Sequence, residues 1–348
     1  MIVFTRARGA RLGVLIAITC IGLAAAGCGS SSSSSPGSSK KSSTASAHTG
    51  TASVAYASSL EFLNEKVAGP AFHQAAGFTY SGQGASSGEL ESEIAAGQIH
   101  PGVFESVGSD NITPLEPKFT KWYIQYAGTQ MVVAYNPKSK YASQFKAIAD
   151  GKKPVKDLFA LMEKPGFKLG RTDPNIDPQG RDFIYMLELA QKYYHLPSDT
   201  VTKIVGSNIS SASSPEIFAE SSLDSTLESG QLDAASAFIT QAIELHLDYI
   251  KLPPAISLGS FALANQYAKA TITISPPGGP KATKTGSPQV IDITIIGKPT
   301  PADIAFVAYT LSQPGLAQYK AGGFALLTPT LTGPSSAVPS QIRSELGG

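Results

Sequence analysis

Serines arrive in pairs at three places where a helix should begin. Ser58-Ser59-Leu60-Glu61 and Ser86-Ser87-Gly88-Glu89 each fit a capping box, in which the first serine caps the helix and the glutamate reaches back. The second serine then sits one position inside, its hydroxyl free beside backbone N–H groups that have no intrahelical partner. With the partial positive charge of a helix start, this makes a cradle for an oxyanion built from neutral donors only. Ser221-Ser222-Leu223-Asp224 repeats the pattern where no ligand is expected, so the motif alone marks a helix start. Asp177 precedes Pro178 and a following helix, a good N-cap with proline in the first helical position. Asp173 reads as a turn residue after a strand.

Other chemistries lack their residues. Both cysteines, Cys20 and Cys28, lie near the N-terminus, which leaves the rest without a thiol for a disulfide, a zinc site or a nucleophile. His48, His73, His100, His195 and His246 show no metal spacing such as H-E-x-x-H. Neither a G-x-S-x-G elbow nor a Walker-type phosphate loop occurs. Pro276-Pro277-Gly278-Gly279-Pro280 has no lysine or helix start behind it and reads as a loop. Trp122 and Tyr123 are expected to pack in the core or hinge. The formal charge is +1, with no basic field pointing to nucleic acid. Neither an enzyme nor a resident cofactor is expected.

The elements that must position these residues alternate. Ser53–Ala57, Phe78–Ser81 and Gly102–Glu105 read as short strands. Between them lie a helix from Ser58 to about Ala76, kinked at Gly69-Pro70, and a helix over Ser86–Ala96. Such alternation predicts an α/β fold with parallel sheets. Met131–Tyr135 is a strongly apolar strand ended by Asn136-Pro137. A second α/β unit follows: a strand at Phe167–Gly170, a helix at Asp182–Tyr194 with Phe183, Met186, Leu187 and Ala190 on one face, a helix at Leu223–Glu228, and a strand at Ala234–Phe238. After Tyr249–Leu252 the chain returns through a strand at Ile291–Ile296 and a helix at Asp303–Leu311. Two lobes joined by crossing strands near Val133 and Ile250 are expected, with a ligand cleft between them. The boundaries expected are 52–135 with 254–330 for lobe 1, 136–253 for lobe 2, and a loosely packed tail at 331–348.

Ahead of the lobes, Arg6, Arg8 and Arg11 precede an apolar stretch from Leu12 to Ala26. That run of about fifteen residues suits a signal peptide and falls short of a membrane span. Removing those arginines brings the charge to about −2. Ala25-Ala26-Gly27-Cys28 resembles a bacterial lipobox, with 1–27 the signal peptide and Cys28 the lipidated residue. The serine-rich segment 28–51 has no apolar period and reads as a flexible tether.

Five stretches together resemble the tungstate/molybdate-binding periplasmic lipoproteins. They are Tyr56-Ala57-Ser58-Ser59-Leu60; Ala127 with Gln130-Met131-Val132-Val133-Ala134-Tyr135-Asn136-Pro137; Gly170-Arg171-Thr172-Asp173-Pro174 with Asp177-Pro178-Gln179-Gly180-Arg181; Glu228-Ser229-Gly230-Gln231-Leu232-Asp233; and Tyr249-Ile250-Lys251-Leu252-Pro253. They follow the family's order and spacing from about Ser53 to Thr328.

The resemblance implies a two-lobed type II periplasmic-binding fold. It also implies a lipid-anchored, extracytoplasmic receptor, a monomer, delivering molybdate or tungstate to the permease of an ABC transporter. It places Ser59 and Ser87 on the anion. Asp177 aligns with an aspartate that, in part of the family, bonds the molybdenum or tungsten centre of the bound oxyanion; here ligand and helix cap both stand. Two positions depart from the pattern. Ala237 replaces the glutamate that serves as the second carboxylate ligand, and Gly102 replaces an aspartate. Either the anion stays tetrahedral, or Thr240 or Gln241 substitutes as a neutral donor, or the ligand is another oxyanion such as sulfate, phosphate or a small organic anion. A lipoprotein that kept the fold without transport is a further alternative.

Overall fold

Strand β1 (Thr51–Ala57) is buried from Val54 to Ala57, the double-sided burial of a strand flanked on both sides of its sheet. It pairs in parallel with β2 (Thr79–Ala85) and β3 (Val103–Val107). The structure, a computed structural model, describes residues 49–207 and 214–347. The predicted leader, Cys28 and His48 lie outside them.

Next come β4 (Tyr123–Gly128), β5 (Met131–Tyr135), β6 (Leu169–Gly170), β7 (Ala234–Phe238) and β8 (Tyr249–Lys251). A small antiparallel hairpin, β9 (Thr271–Ile274) and β10 (Ala282–Thr285), precedes β11 (Val290–Ile295) and β12 (Ala325–Thr332). One sheet has the order β12-β4-β11-β3-β1-β2 and the other β6-β7-β5-β8.

The α/β class is as expected, but the sheets are mixed rather than parallel. β11 runs antiparallel to both β3 and β4, and β5 runs antiparallel to both β7 and β8. The crossings also differ. The strands at Val133 and Ile250 are neighbours within the second sheet, paired at those two residues. The chain passes between sheets at Thr129-Gln130, between β4 and β5, and returns through residues 252–289.

Helices cover the sheets: α1 (Gly69–Ala76), α2 (Ser87–Ala96), α3 (Ala142–Ala149), α4 (Lys156–Met162), α5 (Pro178–Tyr193), α6 (Thr200–Val205), α7 (Glu220–Glu228), α8 (Ile239–Glu244), α9 (Pro254–Ser257), α10 (Ala264–Tyr267), α11 (Pro301–Leu311), α12 (Gln313–Ala321) and α13 (Ser340–Arg343). The helix expected from Ser58 to Ala76 runs without a break over those bounds, passing from a 3₁₀ turn at Ser58–Leu60 through a π turn at Leu63–Ala68 into α1, with the change at Gly69 where the kink was expected. Gly69 is where the helix meets Tyr80, since a Cβ there would lie 2.6 Å from the Tyr80 ring. On the first lobe Phe72 of α1 meets Phe306 of α11 edge-on, with centroids 5.2 Å apart. The segment after Thr330 is not loose: Val338 and Ile342 are buried against the same core. Trp122 is core, as expected.

Candidate ligand-binding cleft

Two adjoining cavities open between the sheets. One, of about 560 Å³, is lined by Ser58, Ser59 and Tyr56 from the first lobe and Glu220, Ser221 and Gln241 from the second. The other, of about 530 Å³, is lined by Ser58, Ser86, Asp173, Asp177, Glu220 and Ser221. Ser58, Glu220 and Ser221 are common to both.

The first lobe contributes the two expected helix starts, with altered geometry. Ser86 is the N-cap of α2, in extended backbone, but its hydroxyl makes no capping bond to the backbone. It reaches Glu89 Oε2 at 3.4 Å. Ser86 lines the cavity, whereas Ser87 is wholly buried and its Oγ accepts from the Val107 N–H at 3.2 Å. Ser59 is buried on the cavity wall in the 3₁₀ turn, which starts at Ser58 behind Ala57.

On the second lobe Asp177 caps α5, accepting from the Gln179 N–H at 2.8 Å, with Pro178 in the first helical position. Burial pushes its carboxyl up to about 6, partly offset by that N–H and by the Arg181 charge. Gln179, one turn position on, donates from Nε2 to Glu220 Oε1 at 2.9 Å and to Gln241 Oε1 at 2.8 Å. Gln241 Nε2 also donates to Glu220 Oε1, at 2.8 Å. The network is closed by the Ser236 hydroxyl, donating to Gln179 Oε1, and by the Phe238 N–H, donating to Gln241 Oε1. Burial first, then the charges of Asp177 and Asp224, hold the Glu220 carboxyl well above the ordinary range. Burial also raises Asp224 to about 6 and Glu244 to about 8. Carboxyls on this wall are thereby shifted toward the neutral acid.

Thr240 is not on either cavity. Its hydroxyl lies 3.3 Å from that of Thr129 at the crossover, and the neighbouring Gln241 faces the cleft instead. Ala237 is buried, pairs with Val132, and belongs to an apolar cluster with Leu223 and Leu227. Gly102 has no room for a side chain: a Cβ would lie 2.1 Å from Asp303 Oδ1, so the Asp303 carboxylate fills the space. Asp173 holds a turn, its Oδ1 accepting from the Asn175 N–H at 2.9 Å.

Gln241, one of the two neutral donors expected at this position, is on the cleft; its link to Glu220 and Gln179, and Ser86 in place of Ser87, are what the sequence reading missed. Placing the α7 start at Leu223 hid Glu220 in a loop. The structure begins that helix at Glu220 and turns its first residues into the cleft, so Ser221, at a helix start where no ligand is expected from the sequence, lines both cavities. Among the described residues no group of three or more His, Cys, Asp and Glu side chains could hold a metal ion. None of the described helices is long and apolar enough to cross a membrane.

The lobes touch around the cleft. The Gly88 N–H at the start of α2 donates to the Ile176 carbonyl across the cleft at 3.0 Å. Asp110 of the first lobe meets Arg181 Nη2 of the second at 3.6 Å, and also Lys284 Nζ of the β9–β10 hairpin at 2.9 Å.

Comparison with known proteins agrees with this architecture. An uncharacterized solute-binding protein of Petrotoga mobilis is 27% identical over 250 residues, covering 70% of this chain and 74% of that protein. The molybdate/tungstate-binding protein WtpA of Pyrococcus abyssi is 28% identical over 244 residues, covering 65% and 68%. The periplasmic molybdate-binding protein of Azotobacter vinelandii superposes with a TM-score of 0.52 at 18% identity, over 79% of this chain and 98% of that one; this likeness shows the shared two-lobed type II fold. The model of the bacterial extracellular solute-binding proteins matches residues 52–325. The chain belongs to that family, and is a binding protein rather than an enzyme.

Proposed function

We propose that this protein captures molybdate or tungstate in the cleft and presents it to the permease of an ABC importer. The observation that carries the reading is the convergence of serine-bearing helix starts from both lobes on two adjoining cavities, Ser58 and Ser59 facing Ser221 in one and Ser58 and Ser86 facing Ser221 in the other. Hydroxyls and helix-start amides can replace the water shell of a dianion without a counter-charge. The names of the relatives support the same ligand class. Ser87 stands behind this wall; Asp177, on the wall of the second cavity, either orients α5 or bonds the metal centre of the anion. Thr240, turned toward Thr129, supports the crossover instead. Cys28 carries the lipid that holds the protein at the outer face of the cell membrane, and radiolabelled palmitate should enter the wild type and not Cys28→Ala.

A second oxyanion reading rests on Ala237. Without a carboxylate on β7 there is less reason for six-coordinate metal, and a tetrahedral anion such as sulfate fits the same donors.

Thermal shifts in molybdate, tungstate, sulfate, phosphate and buffer alone separate the two. A ligand at about 100 times its Kd adds about 2.7 kcal/mol of stability. A shift with molybdate or tungstate is expected; a shift with sulfate or phosphate alone would assign the cleft to the second reading. Ser59→Ala combined with Ser86→Ala should weaken molybdate binding at least tenfold, and unchanged affinity would clear both serines.

A further inference from the structure

We propose that Glu220 is the second-lobe group that contacts the bound anion, donating an O–H hydrogen bond as the protonated acid. This rests on the oxyanion reading and adds to it a residue and a proton. Glu220 opens α7 and lines both cavities. Its Oε1 is fully engaged, accepting from the Gln179 and Gln241 amides at 2.9 and 2.8 Å. Those amides are themselves fixed by the Ser236 hydroxyl and the Phe238 N–H. They therefore cannot turn to offer a different atom, and Oε1 is held as an acceptor. Oε2 carries no such bond among the described residues, so it is the atom left to face the ligand.

The surrounding charges decide its state. On its own helix stand Asp224 and Glu228; from α5 comes Asp177, with Arg181 behind it; from α8, Glu244. The first lobe adds Glu61 and Glu65, with Lys66 on the same wall. This company is overwhelmingly negative, and a dianion adds two more charges. An ionised Glu220 would repel the anion across a buried gap, where such repulsion is strong. The neutral acid instead turns its O–H to the anion, as a donor held in place by the two glutamines. Where Glu220 is ionised in the free protein, at and above its raised titration, closure around the anion draws one proton from solvent; no proton passes to the anion. Binding and protonation are linked over that range, so molybdate affinity should be flat at lower pH, where the acid is already neutral, and then fall as pH rises, by up to tenfold per pH unit for one proton.

The test is calorimetric titration of sodium molybdate into the full-length protein at pH 6 to 9, in buffers of different ionisation enthalpy. The wild type is expected to take up protons on binding. Glu220→Gln, which keeps an N–H donor but cannot titrate, should take up about one proton fewer and show a correspondingly shallower pH profile. Glu220→Ala should bind at least tenfold more weakly. A proton count and pH slope for Glu220→Gln equal to wild type would overturn the inference, as would Glu220→Ala binding within twofold of wild type. If Glu220→Ala fails to fold, shown by a lost thermal transition without ligand, the Glu220→Gln proton count decides alone. Wild type binding neither molybdate nor tungstate would overturn the molybdate/tungstate reading itself; binding by wild type with unaltered Glu220→Gln would overturn only the role of Glu220.

Discussion

At the scale of single residues, Asp177 shows how one side chain serves helix and cleft together. It caps α5 through the Gln179 N–H while burial raises its carboxyl to about 6. In the unfolded chain the same group titrates near its ordinary value of about 3.9. Between those values the folded protein holds more protons than the unfolded one. Stability from this group is therefore complete below about pH 4 and is lost as pH rises through about 6. Asparagine caps a helix as well as aspartate does and carries no titrating proton. Asp177→Asn should thus lose about 1–3 kcal/mol less stability than wild type between pH 4 and 7, read by urea denaturation without ligand. Smaller than that, or of opposite sign, and the buried carboxyl is not what tilts the profile. The cap was legible in the sequence because Asp-Pro fixes a local geometry. Glu220 was not, since its partners Gln179 and Gln241 lie 41 and 21 positions away and only tertiary packing unites them.

At the scale of elements, legibility followed how local the cause was. β5 and β7 were read to the residue because a five-residue apolar run ended by Asn136-Pro137 or by a helix start leaves little choice. The helix from Ser58 to Ala76 and its kink at Gly69-Pro70 were legible, but the 3₁₀ and π character of its first turns was not, since such changes answer to neighbours: Gly69 is pressed by Tyr80 of β2. Mixed sheet directions were likewise invisible, since alternation of strand and helix carries no sign for β11, which inserts between β3 and β4 from a distant part of the chain. The start of α11 is a local device and gives a clean test. Thr300 Oγ1 accepts from the Asp303 N–H at 3.2 Å, and Asp303 Oδ2 accepts from the Thr300 N–H at 3.2 Å. The same carboxylate occupies the space beside Gly102. Thr300→Ala should cost about 1 kcal/mol, seen as a lower urea midpoint with unchanged slope. Molybdate affinity should stay as in wild type, because α11 lies away from both cavities.

At the scale of the whole molecule, the cleft works only if the lobes can meet, and α2 is where they do so most closely. Gly88, second in that helix, donates its N–H to the Ile176 carbonyl of the opposite lobe at 3.0 Å. A Cβ at Gly88 would stand 2.4 Å from that carbonyl oxygen, a backbone atom that cannot swing aside as a side chain would. Yet glycine inside a helix is a poor choice for stability, by about 1 kcal/mol relative to alanine. The two effects separate in Gly88→Ala. With the lobes apart, alanine meets no obstacle and α2 gains helix propensity, so the ligand-free protein should melt no lower than wild type. With the lobes together, the methyl group holds α2 off the 173–177 turn, and Ser86 is kept from closing on the anion. Molybdate affinity should fall at least tenfold while ligand-free stability holds. Small-angle scattering in saturating molybdate should show the variant more extended than the liganded wild type. Wild-type affinity in a well-folded Gly88→Ala protein would mean that the two halves do not need this contact to hold their ligand.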